Sequence, residues 1–422
     1  MMSRRDLLAT GALGTVAALS GCAAPASGLV SADVARSRPD PARMRAVVDA
    51  VGAFSGDLLA AVAQTGNLVC SPYSILVALA MVRNGATGQT AREIDDTLHL
   101  PALDTLNAGL NALDQTLATR SGRRRTAGDT RAEVAMRVAN RVWGQSGYTW
   151  QPPFLNTLAA SYGSGVGEVD LSADPDGSRR RLNDWVADQT QDKILDLLPP
   201  GSVDAFTRML LANALYVKAP WHQPFFPQGP KPFRTPTGPV DVEMMGVSLD
   251  RGGLQRRGWQ AARIPLAGQE LALTVIRPRG DLGDLRRELQ DAGLVELLRT
   301  PPDQDVDLSM PGFQIRSALP LAEVLSGLGM PRAFTEQAEF DAMTHTEPLH
   351  IGAVQHQGWV AVDADGLEAA AATAVVVKAV SAPARPPLIL TLDSPFLACV
   401  HDVATALPLL SIQISDPSAT TG

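Results

Sequence analysis

Hydrolytic chemistry needs a serine on a sharp elbow, a thiolate beside a base, or a metal held by histidines and carboxylates. The 422-residue chain carries these residue types only in isolation. The serine nearest to a G-x-S-x-G elbow is Ser164 in YGSGVG, which lacks the glycine two places before it. No H-E-x-x-H or C-x-x-C occurs, and no glycine-rich phosphate loop precedes a helix. The six histidines are scattered singly. His345 and His350 come closest to a metal pair, but a loop histidine without a thiolate or a carboxylate pair is structural or solvated far more often than ligating. No metal, no cofactor and no enzymatic activity are therefore expected.

A different kind of chemistry is suggested by VDADGLEAAAATAVVVKAV, from Val362 to Val380. Ala369, Ala370, Ala371 and Ala372 are strong helix formers, yet they run directly into Thr373 and the β-branched Val375, Val376 and Val377. By composition alone this is an alanine-rich helix end or a packed loop. A segment that must be a loop at one time and a central strand at another would also need such small side chains. As a strand, it would set Leu367, Ala369, Ala371 and Thr373 on one face and Glu368 on the other.

The elements around it read as helices first and strands later, an α+β arrangement. Met44 to Gln64 has helical apolar spacing, followed by a short strand NLVC and a helix opened by Ser71 as cap and Pro72 in its first turn. Thr90 and Glu93 have capping-box spacing. Strands are expected at Val134 to Trp143, Val166 to Leu171 and Phe206 to Lys218, with helices at Arg179 to Leu198 and Pro320 to Gly329. No long linker or internal repeat divides the chain after Met44, so residues 44–417 read as one domain with a tail at 418–422.

A formal charge of −8 excludes a general nucleic-acid binder, for which a basic footprint is required. Arg120, Arg123, Arg124 and Arg125 form one basic cluster that reads as a solvated loop, with an anionic polymer as the alternative ligand. At the N-terminus, Arg4 and Arg5 precede a short apolar run from Leu7 to Leu19, which is the pattern of an export signal at residues 1–21. The paired arginines resemble the twin-arginine signal, and Leu19-Ser20-Gly21-Cys22 resembles a lipobox, which implies lipidation at Cys22 and anchoring on the outer face of the cytoplasmic membrane. Residues 22–43, rich in Ala, Ser and Pro, read as a flexible tether. Cys70 and Cys399 lie in apolar runs and read as buried thiols, although an exported chain permits a disulfide.

Several long motifs, in order, resemble the serpin family. They are NLVCSPYSILVALAMVRNGATGQTAREI, EVDLS, RRRLNDWVADQTQDKILDLLPPGSVDAFTRMLLANALYVKAPWHQPF, DADGLEAAAATA, and SPFLACVHD with ISDP. The resemblance implies three β-sheets, about nine helices and an exposed reactive-centre loop. It also implies a monomer whose cleaved loop inserts into the large sheet and traps a serine protease as an acyl-enzyme. Gly366, Leu367, Glu368, Ala369 to Ala372 and Thr373 match the hinge of that loop. Ser71, Ser74, Asn213 and His356 match a buried polar cluster, the shutter, and Trp221 matches the tryptophan at the sheet top, the breach. Family spacing places the scissile bond at Val380-Ser381, with Lys378 and Ala379 as alternatives; Val380 implies an elastase-like or subtilisin-like target. Leu367 is bulkier than the family's usual Thr or Ser. A non-inhibitory serpin acting as a surface binding or scaffold protein is the alternative expectation.

Overall fold

Ser71 forms the helix start that its sequence context sets out. Its side chain accepts from the Ser74 amide at 3.1 Å, and Pro72 takes the first turn, where a missing N–H costs nothing. The computed structural model describes residues 28–62, 66–290, 293–368 and 386–419. Cys22, Ala369 to Thr373, Lys378, Ala379, Val380 and Ser381 lie outside the described residues.

Among the described residues there are nine α-helices. They are α1 (Met44–Val62), α2 (Pro72–Arg83), α3 (Gly88–Thr97), α4 (Leu103–Ala118), α5 (Pro152–Thr157), α6 (Pro175–Thr190), α7 (Leu282–Glu288), α8 (Gly293–Arg299) and α9 (Leu321–Leu328). The strands are β1 (Leu29–Val30), β2 (Leu68–Cys70), β3 (Gly122–Arg125), β4 (Arg131–Gln145), β5 (Val166–Val169), β6 (Met209–Pro220), β7 (Phe226–Thr235), β8 (Gly238–Gln255) and β9 (Trp259–Pro265). They continue with β10 (Leu271–Pro278), β11 (Gln304–Pro311), β12 (Phe313–Pro320), β13 (Ala353–Val362), β14 (Gly366–Leu367), β15 (Leu388–Thr391), β16 (Phe396–Asp402) and β17 (Pro408–Ile414).

Hydrogen bonding joins these strands into two sheets, of eight and nine strands, rather than three separate ones. The cause is the long strand β8. It pairs with β7 and β11 over most of its length and with β9 at Gly253–Gln255, so two ladders share one strand. In the eight-stranded sheet the order runs β1, β5, β4, β6, β14, β13, β12, with β3 beside β4. Helix α2 is buried from Pro72 to Val82 except at Val77 and packs on β4, β6 and β17, so it lies between the two sheets. Its apolar residues run all round the helix, as burial on every side requires. On β6, Leu211, Leu215, Val217 and Ala219 enter this main core, while Leu210, Ala212 and Ala214 enter a second cluster beneath α6. The period of two thus gives the strand two buried faces.

Four expectations are corrected. The stretch assigned to a flexible tether is held to the body from residue 28. Leu29 and Val30 pair with Gly167 and Val166, Ser37 N–H reaches Ala160 O at 2.8 Å, and Arg36 meets Asp114 at 2.7 Å. Thr90 and Glu93 form no capping box, because α3 begins two residues before Thr90 and the Glu339 carboxylate accepts from the Gln89 and Thr90 amides instead. The helix expected to reach Leu198 ends at Thr190, where Gln191 and Asp192 both take positive φ. The arginine cluster is no solvated loop: Gly122–Arg125 is a strand on β4. Arg120 pairs with fully buried Asp402 at 2.6 Å and Arg124 with Glu270 at 2.7 Å, which neutralises charge an anionic polymer would need.

Cys70 and Cys399 are buried and free. Both stand opposite Ser411, on either side of β17, so their strands are two apart, about 10 Å. Disulfide geometry needs Cα atoms within about 7 Å. Burial raises the Cys70 thiol to about 12, which keeps it protonated and inert.

Candidate functional site

The site lies between β6 and β13. Their parallel ladder runs from Leu210 opposite Ala353 to Ala214 opposite Gln357 and then ends. Above it the two strands part, and the two residues of β14 occupy the fork. Gly366 stands opposite Pro220, and Leu367 stands opposite both Ala219 and Val362. β14 is antiparallel to both neighbours.

Each hinge residue in the fork has a local reason to be there. Gly366 has φ +155°, and a Cβ at that position would lie 2.5 Å from Ala219 O and 2.6 Å from Pro220 Cα. Only glycine fits so close a backbone approach. The Gly366→Ala variant is therefore expected to displace β14 and to lower stability by about 1–3 kcal/mol, read from the urea midpoint of the uncleaved chain. Leu367 is 1% exposed and belongs to the main core. Glu368 turns to the opposite face, with its backbone in the left-handed region at φ +48° and its amide on Ala361 O. There its carboxylate meets the Lys193 ammonium at 2.6 Å, and that ammonium also lies over the Trp359 ring at 5.2 Å. Burial, with the Glu368 carboxylate beside it, pushes the Tyr216 phenol upward.

Trp221 closes the fork from above. Its backbone N–H donates to Asp365 O at 3.0 Å and its indole N–H to Asp363 O at 2.8 Å, while its ring packs 5.3 Å from Phe225. Ala219-Pro220, which precedes it, supplies the backbone atoms against which Gly366 rests.

Below the fork the side chains of Ser71, Ser74, Asn213 and His356 form one buried cluster. His356 Nε2 accepts from the Ser71 amide at 3.0 Å, so the ring proton sits on Nδ1 and is donated to Asn213 Oδ1. Ser74 Oγ donates to Asn140 Oδ1 at 2.7 Å. Asn140, Asn213 and His356 face one another across β4, β6 and β13. Asn140 was missed by sequence reasoning, although the alternation Val138-x-Asn140-x-Val142 marks a polar residue on a core-facing row. Lys193 was missed as well, since nothing local in TQDKILD points to a partner so far along the chain. Among the described residues Asn140 Nδ2 and Asn213 Nδ2 are buried without a hydrogen-bond partner, so this network is only partly satisfied in the paired state of the strands.

Burial holds the imidazoles of His356 and His401 down to about 3. Each ring is neutral in the folded chain and gains a proton in the unfolded chain below pH about 6.5. Unfolding then takes up protons, so stability is full above pH 6.5 and declines as the pH falls from there toward 3. The slope approaches about 1.4 kcal/mol per pH unit for each histidine. Urea midpoints measured between pH 7.5 and 5.0, above the range in which carboxylates titrate, are expected to fall steadily, and His356→Gln is expected to remove about half of that slope.

Comparison with known proteins bears on what such a fork is for. A family model described as "Serpin (serine protease inhibitor)" matches residues 49–417. An uncharacterized serpin-like protein of Thermococcus kodakarensis is 30% identical over 88% of this chain and 86% of its own length. A leukocyte elastase inhibitor of Sus scrofa is 29% identical over 86% of this chain and 97% of its own. Among solved structures, a thermophilic serpin, tengpin, in its native state superposes with a TM-score of 0.78 at 22% identity, covering 92% of this chain and 97% of that one. A serpin of Arabidopsis in a native stressed conformation gives 0.76 at 23% identity, with 89% and 99% covered.

Proposed function

The chain belongs to the serpin family, and from that premise we propose that it is a single-use inhibitor of a serine protease outside the cytoplasm. The protease attacks the segment between Glu368 and the strand β15, and the freed hinge then continues as a new strand between β6 and β13. The observation that carries this reading is the seat of Gly366 and Leu367, already paired to both strands at the top of the path. A strand continuing from β14 replaces one parallel ladder with two antiparallel ones, and antiparallel pairing is the slightly more stable kind. Side chains that follow in alternation meet two prepared faces, the main core beside Leu367 and the cluster under α6 beside Glu368.

Attack at Val380-Ser381 fits an elastase-like or subtilisin-like protease; of the alternative positions, Lys378 and Ala379, the lysine would instead fit a trypsin-like one. The name of the Sus scrofa relative, a leukocyte elastase inhibitor, agrees with the elastase-like class. The twin-arginine and lipobox resemblances support export and a lipid anchor at Cys22. The non-inhibitory alternative drew its support from the bulk of Leu367, and that side chain fits the core at this position without exposure.

The test is incubation with elastase-like, subtilisin-like and trypsin-like proteases, followed by denaturing gels and intact mass. A boiling-stable species at the summed mass, less the released C-terminal peptide, is expected with at least one of them. Cleavage by all three classes with no such species contradicts the proposal.

A further inference from the structure

The two seated residues of the hinge already hold the register of a fully inserted strand. Counted on from Leu367 opposite Ala219, an antiparallel strand sets Val376 beside Leu210; counted on from Leu367 opposite Val362, it sets Val376 beside Ala353. Leu210 and Ala353 are partners in the present ladder, so every entering residue parts an existing pair and no register shift is needed. The same count brings Val377 to Met209, the first residue of β6, and Val380 level with Phe206, in the turn just below the sheet. On the other side Val380 comes level with Leu349. If attack falls at Ala379 or Lys378, the level is Thr207 or Arg208, in the same turn.

Phe206 is 81% exposed, the most exposed large apolar side chain among the described residues. The turn that carries it is held fast. Asp204 Oδ1 accepts from the Phe206 amide, the Thr207 amide and the Thr207 hydroxyl, each at 2.9 Å, and Thr207 Oγ1 accepts from the Asp204 amide at 3.2 Å. Val203 anchors the turn in the cluster under α6. Arg208 ties both flanks together, giving Nε to Glu347 at 2.9 Å and a terminal nitrogen to Ala205 O at 2.8 Å. The ring is thus presented outward by a pre-set backbone, and the charges beside it satisfy one another. What the turn offers a partner is an apolar contact.

We infer that Phe206 is a positioning residue that seats the trapped protease at the foot of the eight-stranded sheet, by packing against the apolar rim of the protease's active site. The inference rests on the inhibitory reading and names the surface on which the trapped partner comes to rest. In the trapped state an ester joins the carbonyl carbon of Val380 to the protease's serine Oγ, formed as the amine of Ser381 leaves. Water attacking that carbon breaks the ester and returns a free serine and a Val380 carboxylate. Because the ester ends the inserted strand, the rim around the serine is drawn to within about one strand spacing, about 5 Å, of the Phe206 backbone. Burial of the ring then favours the seated protease over a displaced one whose ester meets water.

The experiment measures the lifetime of the boiling-stable complex of the full-length protein with whichever protease forms it. Phe206→Ser is expected to form the complex at the wild-type yield, since the residue lies outside the fork and the ladder, but to release active protease about tenfold faster, a barrier lower by about 1.4 kcal/mol. Phe206→Leu restores an apolar contact and is expected to restore the lifetime. Hydrogen exchange gives a second readout: residues 203–208 are expected to be more protected in the complex than in the cleaved chain without protease, where the strand is equally inserted. Equal lifetimes for wild type and Phe206→Ser, or no added protection, overturn the inference and leave the inhibitory reading intact. Loss of a dimer of the uncleaved chain in Phe206→Ser assigns the ring to a second copy and overturns it as well. Absence of any complex from the wild-type protein contradicts the inhibitory reading, and this inference with it.

Discussion

Cleavage within residues 369–385 by a protease that is not trapped is expected to raise the thermal midpoint on the order of 10 °C. About ten residues entering between β6 and β13 gain backbone hydrogen bonds on both sides, each worth about 1 kcal/mol net, for a total on the order of 10 kcal/mol. In a chain of this size each kcal/mol moves the midpoint by about 1 °C. The half-satisfied cluster at Asn140, Asn213 and His356 lies on the path, and strand separation frees its orphan amide groups to find partners. A nick that is not followed by insertion only loosens a loop and leaves the midpoint level or lower. Differential scanning calorimetry before and after limited proteolysis, with mass spectrometry locating the cut, distinguishes the two.

Leu367→Asp is expected to abolish trapping while leaving cleavage intact. Residue 367 already sits in the main core of the uncleaved chain, where the leucine is 1% exposed, so an aspartate there is expelled from the fork and must be driven back in before the strand can insert. An unpaired carboxylate there costs several kcal/mol, or forces protonation at a comparable cost. Insertion competes with hydrolysis of the acyl bond, so a barrier raised by about 3 kcal/mol slows it more than 100-fold and turns the inhibitor into a substrate. Leu367→Thr keeps a small, burial-compatible side chain and is expected to trap normally. Yield of the boiling-stable complex against cleaved monomer reads both variants. Trapping by Leu367→Asp at the wild-type yield would show that burial of this side chain in the fork is not needed for insertion.

Much of this was legible in the residues because local rules acted locally. The Ser71-Pro72 cap, the two-faced alternation of Met209–Pro220 and the inward and outward sides of Leu367 and Glu368 follow from capping chemistry and strand period. What stayed hidden depends on pairing at long range. The Lys193 partner of Glu368, the Asp402 partner of Arg120 and the Glu339 cap of α3 join residues far apart in sequence, and no spacing rule reports them. The tether was misread for the same reason, since Leu29 and Val30 have strand character only beside β5. The third sheet was absorbed because β8 is long enough to serve two ladders. The polar cluster was named by resemblance, yet its fifth member, Asn140, was recoverable from alternation alone.

The account rests on the parting of β6 from β13, and a reversible lock between them tests it most directly. Ala214 and Gln357 stand opposite each other at the upper end of their ladder, within disulfide range for adjacent strands, while Cys70 and Cys399 are buried and too far apart to pair with each other. The Ala214→Cys, Gln357→Cys double variant, oxidised, is predicted to be cleaved by the target protease without forming a boiling-stable complex. Reduction is predicted to restore the complex. Equal complex yield from the oxidised and reduced forms would contradict insertion between these strands.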